Sequence, residues 1–506
     1  MLARARTVAF DGIDARIVEA QCVLSPGLPA FHVVGLPDKA VSEARERVRA
    51  ALSSLSIALP PRRITVNLSP ADLPKEGSHF DLPIALTLLA ALGIIPPEDL
   101  TQTVSLGELA LDGALVAVVG ALPAAMAAAS EDCALICPAP CGAEAAWVGA
   151  AQVFAPATLS EAIRHFTGQT PLPRAQPGEI IDQAGVRDLR DVKGQERAKR
   201  ALEIAAAGRH HMLMVGSPGS GKSMLAARMP GIMPPLSPTE ALETSMIHSL
   251  AGLLDEGGIS RVRPFREPHH TASVAAIVGG GRGAKPGEIS LAHNGVLFLD
   301  EFPEFPRTVL ETLRQPIETG EVVVARANAH TRYPCRFLLV AAANPCRCGY
   351  LSEPARACAR APQCGEEYLG RISGPLMDRF DLRIEVPPVA WSDLDLPATG
   401  ESSVQIGERV AAARARQALR FADHAGVRVN AEAEGGLLDE IATPDTEGRA
   451  LLARVADRFG LTARGYHRVL RVARTIADLD RSEPVRLPHV AEAVSFRLTV
   501  GADTPR

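Results

Sequence analysis

The residue types best suited to chemistry are grouped in the middle of the chain. Gly216-Ser217-Pro218-Gly219-Ser220-Gly221-Lys222-Ser223 is a complete GxxxxGK[ST], preceded by the apolar run His211 to Val215 and followed by a helical pattern from Met224. Glycines in such a loop let backbone N–H groups curl around phosphates, the lysine supplies a point charge and the hydroxyl a metal ligand. Lys222 is expected to reach β- and γ-phosphates and Ser223 to hold Mg²⁺. The alternative, a chance glycine turn, fits poorly between a strand and a helix. A second apolar strand, Gly295 to Leu299, ends in Asp300-Glu301. Asp300 is expected to hold Mg²⁺ through water, and Glu301 to orient and polarise an attacking water. An apolar strand ending in two carboxylates is a weak signal alone and a strong one beside the glycine loop. A third strand, Phe337 to Ala343, ends in Asn344, a polar group placed to help position that water; otherwise it caps a loop. The chemistry these residues suit is ATP hydrolysis, with Mg²⁺ as the ion.

Four of the nine cysteines, Cys346, Cys348, Cys358 and Cys364, crowd one Gly-containing stretch. Four thiolates suit tetrahedral Zn²⁺, and four protein ligands would make such a site structural. Both spacings depart from the usual C-x₂₋₄-C, so reduced thiols of a cytoplasmic loop stand beside zinc as the alternative.

The elements that must position these groups belong to a chain of 506 residues, too long for one core. Residues 1–166 read as an α/β unit, with strands at Thr7–Phe10, Ala15–Ala20, Phe31–Gly35 and Arg63–Leu68 and helices at Val41–Leu55 and Leu82–Leu92. The proline-rich 167–186 reads as a linker. Strand–helix alternation over 187–390 predicts a parallel sheet with flanking helices. The remainder, 391–506, has helical period, with helices expected at Gln405–Phe421, Thr446–Phe459 and Ala463–Leu479. No run approaches a membrane span and no signal-peptide core opens the chain, so the expected location is the cytoplasm with no membrane partner. A net charge of −5 excludes a globally basic nucleic-acid binder; DNA contact would have to come from local loops or an assembled channel.

Taken together these motifs resemble the AAA+ ATPases, in the clade of magnesium-chelatase ATPase subunits and MCM helicases. Val192-Lys193-Gly194-Gln195 is similar to the clade's segment flanking adenine, and Gly374-Pro375-Leu376-Met377-Asp378-Arg379-Phe380-Asp381-Leu382 to its "LLDRFDL" segment. The resemblance implies that Arg379 is an arginine finger acting across a subunit interface, and that Arg464, in Leu461-Thr462-Ala463-Arg464, is a sensor-2 arginine on the γ-phosphate in cis. Solvated helix charges are the alternative for both. Phe31 to Pro37, Arg266 to Ser273, Leu313 to Glu318 and Tyr466 to Leu479 narrow the resemblance to the YifB/ComM family, over nearly the whole chain. That resemblance implies a homohexameric motor, assembled with ATP, that acts on single-stranded or branched DNA during branch migration in natural transformation. A ring remodelling a partner protein, or a metal-chelatase ATPase, is the rival.

The N-terminal unit resembles the Lon peptidase domain, so the implied architecture is a Lon-like α/β domain, an AAA+ core and a C-terminal helical lid. Pro74-Lys75-Glu76-Gly77-Ser78 is similar to the Lon segment bearing the nucleophile, but His79-Phe80-Asp81 replaces its small-residue turn and Pro123 stands where a catalytic lysine is expected. A serine with no amine base is not activated, which predicts a non-proteolytic scaffold. Two segments resemble the clade's hairpin insertions: one within 248–290, with Arg266, Arg282 and Lys285, and one over Glu321 to Phe337, turning near Asn328. In a ring such hairpins line the channel, and a few cations per subunit multiply sixfold there. Ordinary surface hairpins are the alternative. The pair His269-His270 is left without a role.

Overall fold

The computed structural model describes residues 2–181, 187–254, 257–281, 284–326, 329–351, 356–389 and 400–497. Arg282, the turn at Asn328, residues 182–186 of the expected linker and the boundary at 390–399 lie outside the described residues.

The N-terminal region is built on a seven-stranded sheet of order β3-β4-β2-β1-β5-β6-β7. Its strands are β1 (Leu2–Asp11), β2 (Asp14–Ser25), β3 (Ala30–Val34), β4 (Arg63–Ser69), β5 (Thr103–Ser105), β6 (Ala134–Ile136) and β7 (Val153–Phe154). β1 and β2 form a long hairpin, with Leu2 opposite Val23 and Asp11 opposite Asp14. Helix α1 (Lys39–Ser54) begins where the Asp38 carboxylate accepts the Val41 N–H at 2.8 Å, an N-cap. Helix α2 (Asp81–Ala91) is buried along its whole length, as its nearly continuous apolar sequence requires. Its buried Asp81 carboxylate is satisfied by a bidentate Arg47 guanidinium at 2.5 and 2.9 Å.

The central sheet has five parallel strands: β8 (Met212–Val215), β9 (Phe265–Arg266), β10 (Val296–Leu299), then, after the hairpin of β11 (Glu321–Arg326) and β12 (Ala329–Pro334), β13 (Leu338–Ala343) and β14 (Leu382–Glu385). Their order is β9-β10-β13-β8-β14. β8, β10 and β13 are buried at every residue, the mark of parallel strands covered on both faces. Because every strand points the same way, the loops leaving β8, β10 and β13 gather at one edge, where ligands bind in open α/β sheets.

Helices α3 (Glu196–Gly208), α4 (Lys222–Ala226), α5 (Pro238–Ala251) and the short α6 (Val274–Val278) belong to this core. The C-terminal helices include α7 (Ser403–Arg420), opened by a capping box between Ser402 and Gln405, α8 (Thr446–Phe459), capped by Asp445, α9 (Ala463–Leu479), capped by Thr462, and α10 (Leu487–Arg497). One apolar core runs from Leu202 on α3 through Met212 and Leu382 on the sheet to Val472 and Phe496 on the last helices. At its edge the buried Asp381 carboxylate, just before β14, accepts from Arg468 of α9 at 2.6 Å and meets His210 at 3.3 Å. Burial opposes its ionisation, yet Arg468 and His210 outweigh burial and hold the carboxyl well below its usual range.

The proline-rich stretch is not a free tether where it is described. The Ala175 N–H donates to the Val153 carbonyl at 2.9 Å, and Ile180–Ile181 pairs in parallel with Ile259–Ser260 of the core. Trp147 Nε1 donates to the Gly257 carbonyl at 3.0 Å and the Ser249 hydroxyl to the Glu144 carboxylate, so N-terminal region and core are bonded directly. Among the described residues no helix is long and apolar enough to cross a membrane.

Candidate nucleotide site and an arginine-lined cleft

The glycine loop leaves β8 at its carboxyl end. A Cβ on Gly216 would sit 2.2 Å from the Val386 carbonyl oxygen, so only glycine lets the loop turn against that strand. Gly219 and Gly221 take left-handed φ values of +78° and +92°, open to glycine at no steric cost. Lys222, opening α4, is buried. Its ammonium donates to the Gly216 and Ser217 carbonyls at 2.7 and 3.0 Å and to Asn344 Oδ1 at 3.3 Å. Burial lowers its pKa, partly offset by Asp300 and Glu301. The Ser223 hydroxyl donates to Asp300 Oδ2 at 2.8 Å. Strands β8, β10 and β13 thus bring together Lys222, Ser223, Asp300 and Asn344.

The loop passes a test of fit for phosphates. Ser217 Oγ and Ser220 Oγ are buried with no hydrogen-bond partner among the described residues. Buried hydroxyls without partners are costly, and phosphate oxygens would satisfy them. Ser223 and Asp300 form a hard oxygen pair of the kind Mg²⁺ takes alongside phosphate oxygens.

Glu301 follows at φ +50°, a left-handed conformation that costs a residue with a Cβ about 1–2 kcal/mol. Its N–H donates to Asp300 Oδ1 at 2.8 Å, and its Oε2 lies 3.1 Å from His270 Nδ1. Two residues of this site were missed from the sequence. His270 is one; Glu267 is the other, its carboxyl raised first by burial and then by the Asp300 charge. Both come from the loop after β9, the strand beside β10; the segment Arg266 to Ser273 carries the family resemblance, but nothing in it says that these side chains face the Asp300-Glu301 pair.

The cysteine loop packs onto the glycine loop. Gly349, at φ +87°, lies so close to Pro218 that a Cβ there would sit 2.6 Å from its Cδ. Sulfur atoms pair as Cys346–Cys348 at 3.0 Å and Cys358–Cys364 at 3.3 Å. Hydrogen bonds from Cys346, then Tyr350, lower the Cys348 thiol to about 7. Among the described residues no group of three or more His, Cys, Asp or Glu is arranged to hold a metal ion, so the zinc expectation gains no support.

Arg379 and Arg464 lie elsewhere. Arg379 is buried, donating Nε to the Arg314 carbonyl at 3.2 Å and Nη1 to the Pro375 carbonyl at 2.6 Å, with Nη2 2.5 Å from Glu318 Oε1. Glu318 and the exposed Arg464 both line a cleft of about 670 Å³, with Arg209, Arg336, Arg468 and Arg471. His211 also lines it, so the cleft opens at the amino end of β8, whereas the glycine loop leaves the carboxyl end about 13 Å away at ~3.3 Å per residue. Arg464 thus lines the amino end of the strands within its own chain, on α9, which is tied through Arg468 to Asp381.

The two expected hairpins are present and packed together. Gly279–Gly280 pairs with Lys285–Pro286, β11 pairs with β12, and the Tyr333 hydroxyl donates to the Ala284 carbonyl at 2.8 Å. Lys285 is exposed, but Arg266 is not a free cation: Glu288 takes it bidentately at 2.6 and 2.8 Å. In the N-terminal region the Ser78 hydroxyl donates to the Glu108 carboxylate, while the buried Lys75 ammonium donates to the Pro70 carbonyl.

Three family descriptions match the chain: "Magnesium chelatase, subunit ChlI" over residues 188–394, "Subunit ChlI of Mg-chelatase" over 18–140 and "Magnesium chelatase, subunit ChlI C-terminal" over 400–497. The competence protein ComM of Haemophilus influenzae is 44% identical over 500 residues, 97% of this chain and 96% of that one. YifB of Escherichia coli is 42% identical over 494 residues, 97% of this chain and 96% of its own. The magnesium-chelatase 38 kDa subunit of Rhodobacter capsulatus is 27% identical over 212 residues, 38% of this chain and 54% of that subunit.

Proposed function

The chain belongs to the YifB/ComM family of magnesium-chelatase-like AAA+ proteins, and from that premise we propose that it is an ATP-hydrolysing ring motor that acts on DNA. The observation that carries the reading is the convergence of Lys222, Ser223, Asp300 and Asn344 beneath a loop with two unpartnered buried hydroxyls. Lys222 binds β- and γ-phosphate oxygens; Ser223 and Asp300 hold Mg²⁺, which when bound neutralises phosphate charge. Glu301 takes a proton from water as its oxygen attacks the γ-phosphorus and the bond to the β-phosphate oxygen breaks, leaving ADP and phosphate. Asn344 orients that water.

Two arginines suited to transition-state charge, Arg379 and Arg464, sit at the far end of the sheet from the phosphates of their own chain. A closed ring supplies them from the neighbour, which supports a homohexamer whose hydrolysis depends on assembly. The paired hairpins with Lys285 then face a channel and DNA. The Haemophilus relative's name supports a role in competence, and a cytoplasmic location goes with it. The Lon-like region, whose Ser78 is bonded to a carboxylate, serves as a non-proteolytic scaffold.

The test is ATPase rate at micromolar protein, with and without single-stranded or forked DNA, for wild type and Glu301→Gln. Stimulation by DNA that the substitution abolishes is the expected result. A rate indifferent to every DNA would replace the reading with a ring that remodels a partner protein.

A further inference from the structure

Two arginines from the helical region hold the backbone on which Arg379 sits. From Asp378 to Asp381 every residue offers an oxygen to one of them. The Asp378 carboxylate accepts from Arg497 Nη2, and the Phe380 carbonyl accepts from Arg497 Nη1 at 2.9 Å. The Arg379 carbonyl and the Asp381 carboxylate accept from Arg468 Nη1 at 2.9 and 2.6 Å. Arg468 lies on α9 and Arg497 closes α10, so both clamps reach across from outside the sheet. On the sheet side the Asp381 and Leu382 N–H groups both donate to the His211 carbonyl, at 2.9 and 3.1 Å.

Arg497 has a further contact, and it concerns Arg464. The buried guanidinium lies against Gly465, where a Cβ would sit 3.4 Å from Nη2 and 3.5 Å from Nε. Gly465 follows Arg464 in the first turn of α9, and its N–H donates to the capping Thr462 hydroxyl at 3.0 Å. One side chain therefore spans the segment that carries Arg379 and the turn that carries Arg464. Its planar fork meets a carboxylate and a carbonyl two residues apart with two nitrogens, which a single ammonium cannot match. The two clamps also differ in what they leave behind. Without Arg468 the buried Asp381 would keep an uncompensated charge, whereas Asp378 is 27% exposed and water can solvate it when Arg497 is gone. Arg497 is the clamp whose removal costs the fold less.

We propose that Arg497 is a positioning residue that sets Arg379 and Arg464 in register for a neighbouring subunit's phosphates without touching nucleotide itself. This rests on the ring reading above. The experiment measures kcat for ATP and the affinity for a fluorescent ATP analogue in the full chain, with and without forked DNA, for wild type, Arg497→Ala, Arg497→Lys and Arg379→Ala. A group misplaced by about 1 Å loses on the order of 10²-fold in rate, so R497A should lower kcat about 10- to 100-fold. Its analogue affinity should stay within about twofold, because Lys222 and Ser223 of its own chain are untouched. R497K keeps the charge and one of the two bonds and should recover part of the loss. Mixed 1:1 with Glu301→Gln, R497A should rise toward about a quarter of the wild-type rate, the share of random interfaces that join an intact Glu301 to a well-held Arg379. Mixed with R379A it should gain nothing, since both chains fail in the same role. An R497A chain within about threefold of wild-type kcat overturns the proposal, as does one that Glu301→Gln cannot restore, the mark of a general structural loss. Should R497A fold poorly, Asp378→Asn weakens the same clamp at its exposed end and is judged by the same mixing. An R379A chain that keeps more than about a tenth of wild-type kcat, or a wild type that hydrolyses no ATP, refutes the ring reading and the proposal together. An inactive R379A beside a normal R497A refutes the positioning alone.

Discussion

Arg379 offers the sharpest separation between a structural and a catalytic arginine. Its guanidinium has three partners: two backbone carbonyls, at 3.2 and 2.6 Å, and Glu318. Glu318 is 45% exposed, so water screens the pair and its removal costs stability about 0–1 kcal/mol. The two carbonyls stay in place for the buried charge in Glu318→Ala. That variant should therefore melt within a few degrees of wild type and change kcat by no more than about fivefold, the rate equivalent of 1 kcal/mol. It should raise kcat if releasing Glu318 frees the finger to swing toward a neighbour. Arg379→Ala, by contrast, removes a charge worth about 10³–10⁵ in rate. The assay is steady-state hydrolysis at saturating ATP, followed by mixing. Arg379→Ala chains keep Glu301 and lack the finger; Glu301→Gln chains are the reverse. In a randomly mixed 1:1 ring about a quarter of interfaces join an intact Glu301 to an intact Arg379, so the mixture should recover activity that neither variant has alone. Arg379→Ala retaining more than about a tenth of the wild-type kcat would refute the finger. Equal damage from Glu318→Ala and Arg379→Ala would show that the pair matters to folding alone.

Three other perturbations test the nucleotide site and the N-terminal core. Gly349→Ala brings a Cβ 2.6 Å from Pro218 Cδ at φ +87°, and the strain of about 1–2 kcal/mol should be relieved by displacing the glycine loop; a fluorescent ATP analogue should bind several-fold more weakly, and unchanged affinity would show that the two loops are independent. Ser223→Ala takes away the hydroxyl 2.8 Å from Asp300 and should raise the Mg²⁺ concentration needed for half-maximal hydrolysis, read by titration at fixed ATP. His79 is buried, bonded through Nε2 to the Val8 carbonyl at 2.9 Å, and burial lowers its pKa to about 4. The unfolded chain, with an ordinary histidine, binds the proton first, so the stability His79 contributes is complete above about pH 6.5 and is lost as pH falls toward 4, by up to about 3 kcal/mol. Thermal melts of wild type should fall across that window and those of His79→Gln should fall less; parallel curves would assign the acid lability elsewhere.

Much of the candidate nucleotide site was legible in the order of residues, because its parts are local. A glycine loop, its lysine and its serine occupy eight consecutive positions, and the two apolar strands that deliver Asp300 and Asn344 announce themselves by composition. The C-terminal helices were equally readable: Thr446–Phe459 and Ala463–Leu479 carry their own caps, Asp445 and Thr462, and a clear apolar stripe. Leu487–Arg497 was passed over because its apolar residues are too evenly spread to mark a face. The N-terminal hairpin is longer than its apolar core suggested, since Arg4 sits in the ladder exposed and Arg6 half-buried, donating to the Cys133 sulfur at 3.1 Å.

What the chain alone could not decide was which groups meet across long separations. Nothing in sequence distance links His270 to Glu301, Gly349 to Pro218 or Arg379 to Glu318; those contacts exist because parallel strands far apart in the chain lie side by side. The sense of Arg464 was beyond local pattern as well. An arginine at the start of a helix can serve its own phosphates or a neighbour's, and only the burial of Asp381 beneath Arg468 says which end of the sheet α9 is tied to. The types of residue and their short spacings determined the chemistry available to this protein. The packing of the helical region against the amino ends of the strands decided where its arginines can act, because a buried ion pair fixes that helix in one place.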